Sequence, residues 1–208
     1  MKAVMISIQP KWVEKIANGQ KTIEVRKTRP KIDVPFKCYI YCTKGEPNMT
    51  IPLLGRVHDN LLWICNGKVK QTYGYEYMCQ DDEYWCLNGK VIGEFVCDRI
   101  DYWQYHYKSD VMHIADMSEL SCVSIEDLLK YSNGGETTIY GWHITDLVIY
   151  DEPKELSEFE HSCPTNLKKI PYINCSYCRY NFVGNRGNKC DCKVTRPPQS
   201  WCYVEEKE

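Results

Sequence analysis

The spacing of apolar and polar positions changes element by element from the start of the chain. "AVMISI", residues 3 to 8, is a short apolar run that reads as a buried strand. "QPKWVEKIANG" follows with Trp12, Val13, Ile16 and Ala17 at helical spacing, Pro10 suited to the first turn and Gly19 to the stop. In "KTIEVRK", β-branched Ile23 and Val25 alternate with Glu24 and Arg26, which predicts a strand with the aliphatic pair in the core and the charged pair outward. "CYIYCT" and "KVIGEFVCDRIDYW" read as further strands, the second with a bulge at Gly93. "VSIEDLLKYSNGG" predicts a second helix, with Ser124 as N-cap, Asp127 three residues on and glycines at the stop. A last long strand is expected from Trp142 to Tyr150, closed by a proline turn.

Strands outnumber helices in this order, which points to an α+β domain built on a small mixed barrel. Residues 44 to 90 read as an insertion, because "LLWIC", "YGYEYMC" and "EYWCLNGK" among turn residues suggest short strands or an irregular aromatic layer more than helix. From His161 the texture changes to a stretch poor in aliphatics and rich in Cys, Gly, Asn and Pro. Such a stretch cannot bury enough apolar surface to fold alone, so it needs a staple.

A length of 208 residues suits one main domain with an appendage. The formal net charge of -2 gives no global attraction to nucleic acid, so such binding must come from a local patch. One stands out, "NGQKTIEVRKTRPK", where Glu24 sits among Lys21, Arg26, Lys27, Arg29 and Lys31. The opening "MKAVMISIQP" lacks the long apolar stretch of a secretion signal, and no run approaches the roughly 20 apolar residues of a membrane span. The expectation is a cytoplasmic protein without a membrane partner. In that setting, thirteen cysteines point to buried thiols and metal ligation rather than disulfides.

Cys175 and Cys178 form a C-x2-C knuckle able to present two thiolates to one metal, with Cys163, Cys190 and Cys192 nearby in sequence. A structural zinc with four thiolate ligands is the reading: Cys163, Cys175, Cys178 and Cys190, with Cys192 the alternative fourth ligand. Four thiolates leave no open position for catalysis, so the metal would stabilise the fold; the alternative is a set of free thiols or a redox pair. Cysteines in strand-like runs, Cys38, Cys42 and Cys97, are expected to behave as small core hydrophobes.

The joint "SIQPKW" aims the N-terminus of a helix, with Ser7 and Gln9 beside it, toward whatever the basic strand faces, which makes an anion or phosphate site. Lys21, Arg26, Lys27, Arg29 and Lys31 are candidate phosphate contacts, and Trp12, Trp142 and Trp201 are candidates for stacking on a base. The alternative is a solvated charged strand with tryptophans in the core. His106, His113 and His143 read as packed or exposed polar residues rather than catalysts.

"ISIQP", a helix and "NGQKTIEVRK" together resemble the G-x-K-x-x-E-x-R signature of the ASCH domain family, matched by Gly19, Lys21, Glu24 and Arg26. "GWHITDLVIYDEPKELSEF" and "RPPQSWCYVEE" look like the phage- and Firmicute-type branch of that family. The resemblance implies a PUA-like mixed β-barrel with flanking helices over residues 1–159 and 193–208; it does not explain the insertion at about 44–90 or residues 160–192, which the cysteine spacing reads as a Cys-rich zinc-binding insert. It implies a cleft holding RNA or a modified nucleoside, lined by Glu24 and its basic neighbours Lys21, Arg26 and Lys27, to which the readings above add Ser7, Gln9 and Trp142. There Glu24 would accept a hydrogen bond from a base while Lys21 and Arg26 hold phosphate or a carbonyl, unless Arg26 simply pairs with Glu24 to brace the wall.

Some members resemble small amidohydrolases of acetylated cytidine, which use a Lys and a Thr in this strand with a distal carboxylate. Lys21 is present, but Glu24 occupies the Thr position, and a carboxylate is a poor substitute for a hydroxyl nucleophile. Lys21 and Glu24 are therefore catalytic candidates only under this second reading, a hydrolase of a nucleoside amide or an RNA phosphodiester. Glu119 or Asp116 would supply its distal carboxylate.

Overall fold

A computed structural model describes residues 3–44, 49–51, 55–57, 61–65, 68–72, 85–105, 112–161 and 193–206. Strand β1 (Ala3–Ile8) is followed directly by helix α1 (Pro10–Ala17), which buries Pro10, Val13 and Ile16 on one face, as its spacing predicts. Gly19 ends the helix at φ +70°, a left-handed conformation that glycine adopts without strain. Strand β2 (Ile23–Arg26) and strand β3 (Phe36–Cys42) complete the opening unit.

The expected insertion contributes five short strands. Of these, β4 (Met49–Ile51) pairs with β5 (Gly55–Val57), and β6 (Leu61–Cys65) lies between β7 (Lys68–Thr72) and β8 (Trp85–Cys86). Leu62 and Val69 are buried in the main core, so the second small sheet is anchored to the domain by apolar contact. The remaining elements are β9 (Val91–Cys97), β10 (Ile100–Trp103), α2 (Ile114–Ser121), α3 (Ile125–Tyr131), β11 (Ile139–His143), β12 (Thr145–Lys154), β13 (Phe159–His161) and β14 (Trp201–Glu206).

Six strands form the main sheet in the order β12-β9-β3-β1-β14-β13, with β1 and β3 parallel and the other neighbours antiparallel. Strands β10-β11-β2 form a second, antiparallel sheet. One core holds Val4, Ile6, Ile8, Cys38, Ile40 and Phe95 of the large sheet together with Trp142 of the small one. Another packs Ile23, Val25 and Ile139 against Met117 of α2 and Leu128 of α3.

The small sheet is therefore covered on both faces, which corrects the reading of β2. Ile23 and Val25 enter a core as expected, but Glu24 does not point outward: it is 3 % exposed and shares a sheet position with buried Trp142. Among the described residues the two sheets do not close into the expected barrel. Beyond the last β1–β14 pair, at Ile6 and Trp201, the carbonyl of Ser7 accepts a hydrogen bond from the guanidinium of Arg26 at 2.6 Å, so a side chain from β2 bridges to β1.

Two further corrections concern boundaries. The single strand expected over Trp142–Tyr150 is two strands in different sheets, β11 and β12. Ile144 N–H donates to Thr22 O at 2.9 Å, and Asp146 takes φ +47° as the chain crosses over. Pro153 lies inside β12, at the sheet edge where a missing N–H is tolerated. Helix α2 was not anticipated; Met117 and Ser121 form a narrow buried stripe on it. Helix α3 agrees with its expected cap, since Asp127 N–H donates to Ser124 Oγ at 3.1 Å.

Cys38, Cys42 and Cys97 are buried in the core as expected. Burial pushes the Cys38 thiol well above its ordinary pKa, and burial together with Asp98 pushes Cys97 up to about 12. A thiol that titrates higher folded than unfolded stabilises the fold below pH 9, and this contribution is lost as pH rises toward 12. Native protein treated briefly with iodoacetamide near pH 8 should be alkylated at the less buried Cys122 and spared at Cys38 and Cys97, as read by peptide mass spectrometry.

The bulge expected at Gly93 coincides with register shifts on both sides of β9, against β3 and against β12. A Cβ added at Gly93 would lie 2.3 Å from Val148 O, so the backbone of β12 would have to move. Gly93→Ala should lower unfolding free energy by about 1–3 kcal/mol, measured by urea titration.

Candidate functional site

The strand-helix-strand unit lines a cleft of about 1550 Å³. Gln9 stands in extended conformation before α1, no side chain caps this helix, and its first turn, Pro10 to Trp12, borders the cleft. The turn after α1 then brings Lys21 and β2 to the same wall. Ser7, Gln9, Lys21, Glu24 and Arg26, five of the residues proposed from sequence, line this one space.

At the centre is a buried ion network. Glu24 Oε1 lies 2.6 Å from Arg26 Nη1, and Oε2 lies 3.1 Å from Lys21 Nζ. The Lys21 contact is an ion pair whose geometry does not align a hydrogen bond, and Arg26 Nε is buried without a hydrogen-bond partner. Lys21 Nζ also donates to Ser121 O at the end of α2, at 2.9 Å, and sits 5.3 Å from the centre of the Trp12 ring. Through Arg26 the network reaches Ser7 O on β1; Ser7 Oγ in turn donates to Pro198 O at 2.6 Å. The alternative in which Arg26 pairs with Glu24 to brace the wall is thus realised, and Lys21 joins it.

Lys11 of α1 also lines the cleft, and Thr43, Lys44, Asp127, Tyr131 and residues 194–195 and 197–200 complete it from distant segments. Nothing in their local sequence assigns these distant residues to the cleft; only the fold brings them to the opening unit. Tyr41 is also at the wall, and burial, with smaller effects of Cys42 and Glu155, raises its phenol above the ordinary range and keeps it neutral.

Two candidates fall elsewhere. Trp142 is fully buried between Phe36 and Trp201, with ring centroids 5.9 Å from each, so it belongs to the core rather than to a stacking surface. Its face of the small sheet is the one covered by the large sheet. Lys27 is exposed and sits 4.7 Å over the ring of Tyr131, facing a neighbouring groove instead of the cleft. Of the other tryptophans, Trp12 lines the cleft, whereas Trp201 packs on Trp142 and Tyr203 and donates to Thr28 Oγ1 at 3.0 Å. Asp116 and Glu119 are exposed on α2 and do not line the cleft; the carboxylate that reaches it from this region is Asp127 of α3.

Cys163, Cys175, Cys178, Cys190 and Cys192 lie outside the described residues, as does His106. His143 is partly exposed, 2.7 Å from Asp101 Oδ2 and beside Arg99, and takes no part in the cleft. No cluster of three metal-ligating side chains is present among the described residues, nor is any described helix long and apolar enough to cross a membrane.

Among solved structures, the chain is similar to the ASCH protein of Zymomonas mobilis, at 16% identity over 98% of this chain and 87% of that one, with a TM-score of 0.48. Two single-substitution mutants of the same protein match at 16% identity and TM-scores of 0.47 and 0.46, over 99% and 98% of this chain and 91% and 88% of theirs. The structural neighbours are thus ASCH domain proteins; at this level the likeness bears on neither ligand nor activity. No protein-family model matches the sequence, and no curated protein matches it.

The network makes a test of its own. Removing the anion leaves Lys21, 2 % exposed at its side chain, and Arg26, 14 % exposed, without compensation. Glu24→Ala should therefore cost about 3–5 kcal/mol of stability in urea titration. Replacing exposed Glu126, which pairs i,i+4 with Lys130 on α3, should change stability by no more than about 0.5 kcal/mol.

Proposed function

We propose that the cleft binds RNA or a modified nucleoside. The observation that carries this reading is the convergence of a stacking surface and phosphate-type donors on one space. Trp12 borders the cleft with Lys11 Nζ 4.6 Å and Lys21 Nζ 5.3 Å from its ring centre, beside an uncapped helix start and the Arg26 guanidinium. An aromatic ring offers every base a stacking partner, while cations suit phosphate; the helix start adds little, since Pro10 has no N–H and Trp12 and Val13 donate to Gln9 O. The cleft carries four cations, Lys11, Lys21, Arg26 and Lys44, against three carboxylates, Glu24, Asp127 and Glu155. It is locally basic in a chain whose net charge is -2. Its volume exceeds the about 300–1,000 Å³ typical of small-molecule pockets, which leaves room for more than one nucleotide.

The binding reading is favoured over hydrolysis by how the two catalytic candidates are engaged. Glu24 is held by both neighbouring cations, and the Lys21 ammonium is committed to Glu24 and Ser121 O. Neither is positioned as a free base or nucleophile. The placement in the phage- and Firmicute-type branch belongs to this proposal and rests on the two quoted end segments.

Trp12→Ala should weaken binding of a single-stranded RNA or a nucleoside by about 1–3 kcal/mol, seen in fluorescence or calorimetric titration. Tyr105→Ala, at an exposed aromatic residue outside the cleft, should not. Equal effects of the two substitutions, or multiple-turnover cleavage of RNA or an acetylated nucleoside by the wild type, would contradict this reading.

The Cys-rich segment is proposed to hold one structural zinc through Cys163, Cys175, Cys178 and either Cys190 or Cys192, on the strength of the C-x2-C spacing and the scarcity of apolar residues around it. Metal analysis of protein purified without chelator should find about one zinc per chain, released together with increased proteolysis of residues 160–192 on chelation.

A further inference from the structure

Beside the cleft runs a second groove, of about 510 Å³, formed by the β2–β3 connection Lys27 to Asp33 and by Tyr140. Its cations are Lys27, Arg29 and Lys31, all exposed, with Asp33 the carboxylate among its lining residues. The loop that carries them is pinned at three points. Pro30 is buried, Lys31 N–H donates to Tyr203 Oη at 2.7 Å, and Thr28 Oγ1 accepts from the Trp201 indole at 3.0 Å. The backbone is thus fixed by β14 while the charged ends stay in solvent, the arrangement that lowers the entropic cost of capturing an anion. Two cations are further steered by aromatic rings: Lys27 sits over Tyr131 at 4.7 Å, and the Arg29 guanidinium is 6.0 Å from the centre of Tyr140.

Tyr131 is also a wall of the cleft, so the Lys27–Tyr131 contact joins the two spaces. Arg26 in the cleft is followed in sequence by Lys27 at Tyr131 and by Arg29 and Lys31 in the groove. We infer that this groove is a second phosphate subsite, and that the ligand is a single-stranded RNA whose backbone passes from the cleft over Tyr131 into the groove, rather than a lone nucleoside. The inference rests on the RNA reading of the cleft for the nature of its ligand. The groove adds what a nucleoside would leave unused: two to three cations spaced along a fixed loop beyond the stacking site.

The test uses the full chain and a single-stranded RNA of about twelve nucleotides, a length that covers a single-strand site. Arg29→Ala/Lys31→Ala removes exposed side chains and keeps the Lys31 backbone bond to Tyr203, so its thermal melt should match wild type. This variant should bind the RNA about ten- to thirtyfold more weakly near 0.1 M salt, and the slope of log K against log salt should fall by about 1.4, at roughly 0.7 per lost phosphate contact. Lys37→Ala/Lys154→Ala, a control for net charge outside both spaces, should leave affinity and slope unchanged. An unchanged slope in Arg29→Ala/Lys31→Ala, while Trp12→Ala still weakens binding, overturns the groove and leaves the cleft reading intact. Loss in the groove variant with no effect of Trp12→Ala keeps the groove and removes the cleft. An equal loss in the control variant reduces the groove to bulk charge and overturns it, and absence of RNA binding by the wild type overturns both readings.

Discussion

The Glu24 carboxylate, clamped between Lys21 and Arg26, is the contact on which the arrangement of the cleft depends. Three charges are taken out of water together, which is tolerable only because each cation has a second partner. Lys21 reaches a carbonyl at the end of α2, and Arg26 reaches one on β1. The clamp therefore ties three elements to one carboxylate. Ser7 N–H still pairs with Ser200 O, while its carbonyl takes the Arg26 guanidinium at the wall of the cleft.

This has a consequence for chemistry. A carboxylate flanked by two cations and excluded from solvent is a fixed piece of wall, and the energy that holds it is not available for moving protons. In the proposed binding role, recognition falls to the groups around it that still face solvent: the Trp12 ring, Lys11, Gln9 and Tyr131. The inner network sets the geometry and the outer ring meets the ligand. A cleft built in this way is pre-organised, which lowers the entropic cost of capturing a ligand.

Much of the opening unit was legible because its signals are local. Pro10 and Gly19 bracket α1, period-two alternation marks β2, and Ser124 with Asp127 starts α3. Alternation tells which residues share a face of a strand but not what covers that face. Glu24 and Trp142 were misplaced for the same reason: the small sheet is buried on both sides, and nothing near either residue in sequence says so. The division of β11 from β12 depends on Thr22 accepting from Ile144, a partner more than a hundred residues away. Five cleft residues could be named because they lie on one continuous stretch. Asp127, Tyr131 and residues 194–195 and 197–200 arrive from distant parts of the chain and leave no pattern that a local reading can detect.

Strand β14 lies between β1 and β13, and Ser7 is bonded to Pro198 across 191 residues of sequence. Strand β1 thus depends on a strand almost two hundred residues further along the chain to pair its second edge. Closing so long a loop is slow, since its entropy must be met before the ladder returns any hydrogen bonds. Until then the β1 edge, with buried Val4 and Ile6 beside it, is an open template for other strands. Residues 194–195 and 197–200 of the cleft wall lead directly into β14, so the pairing that covers the β1 edge also shapes this side of the cleft.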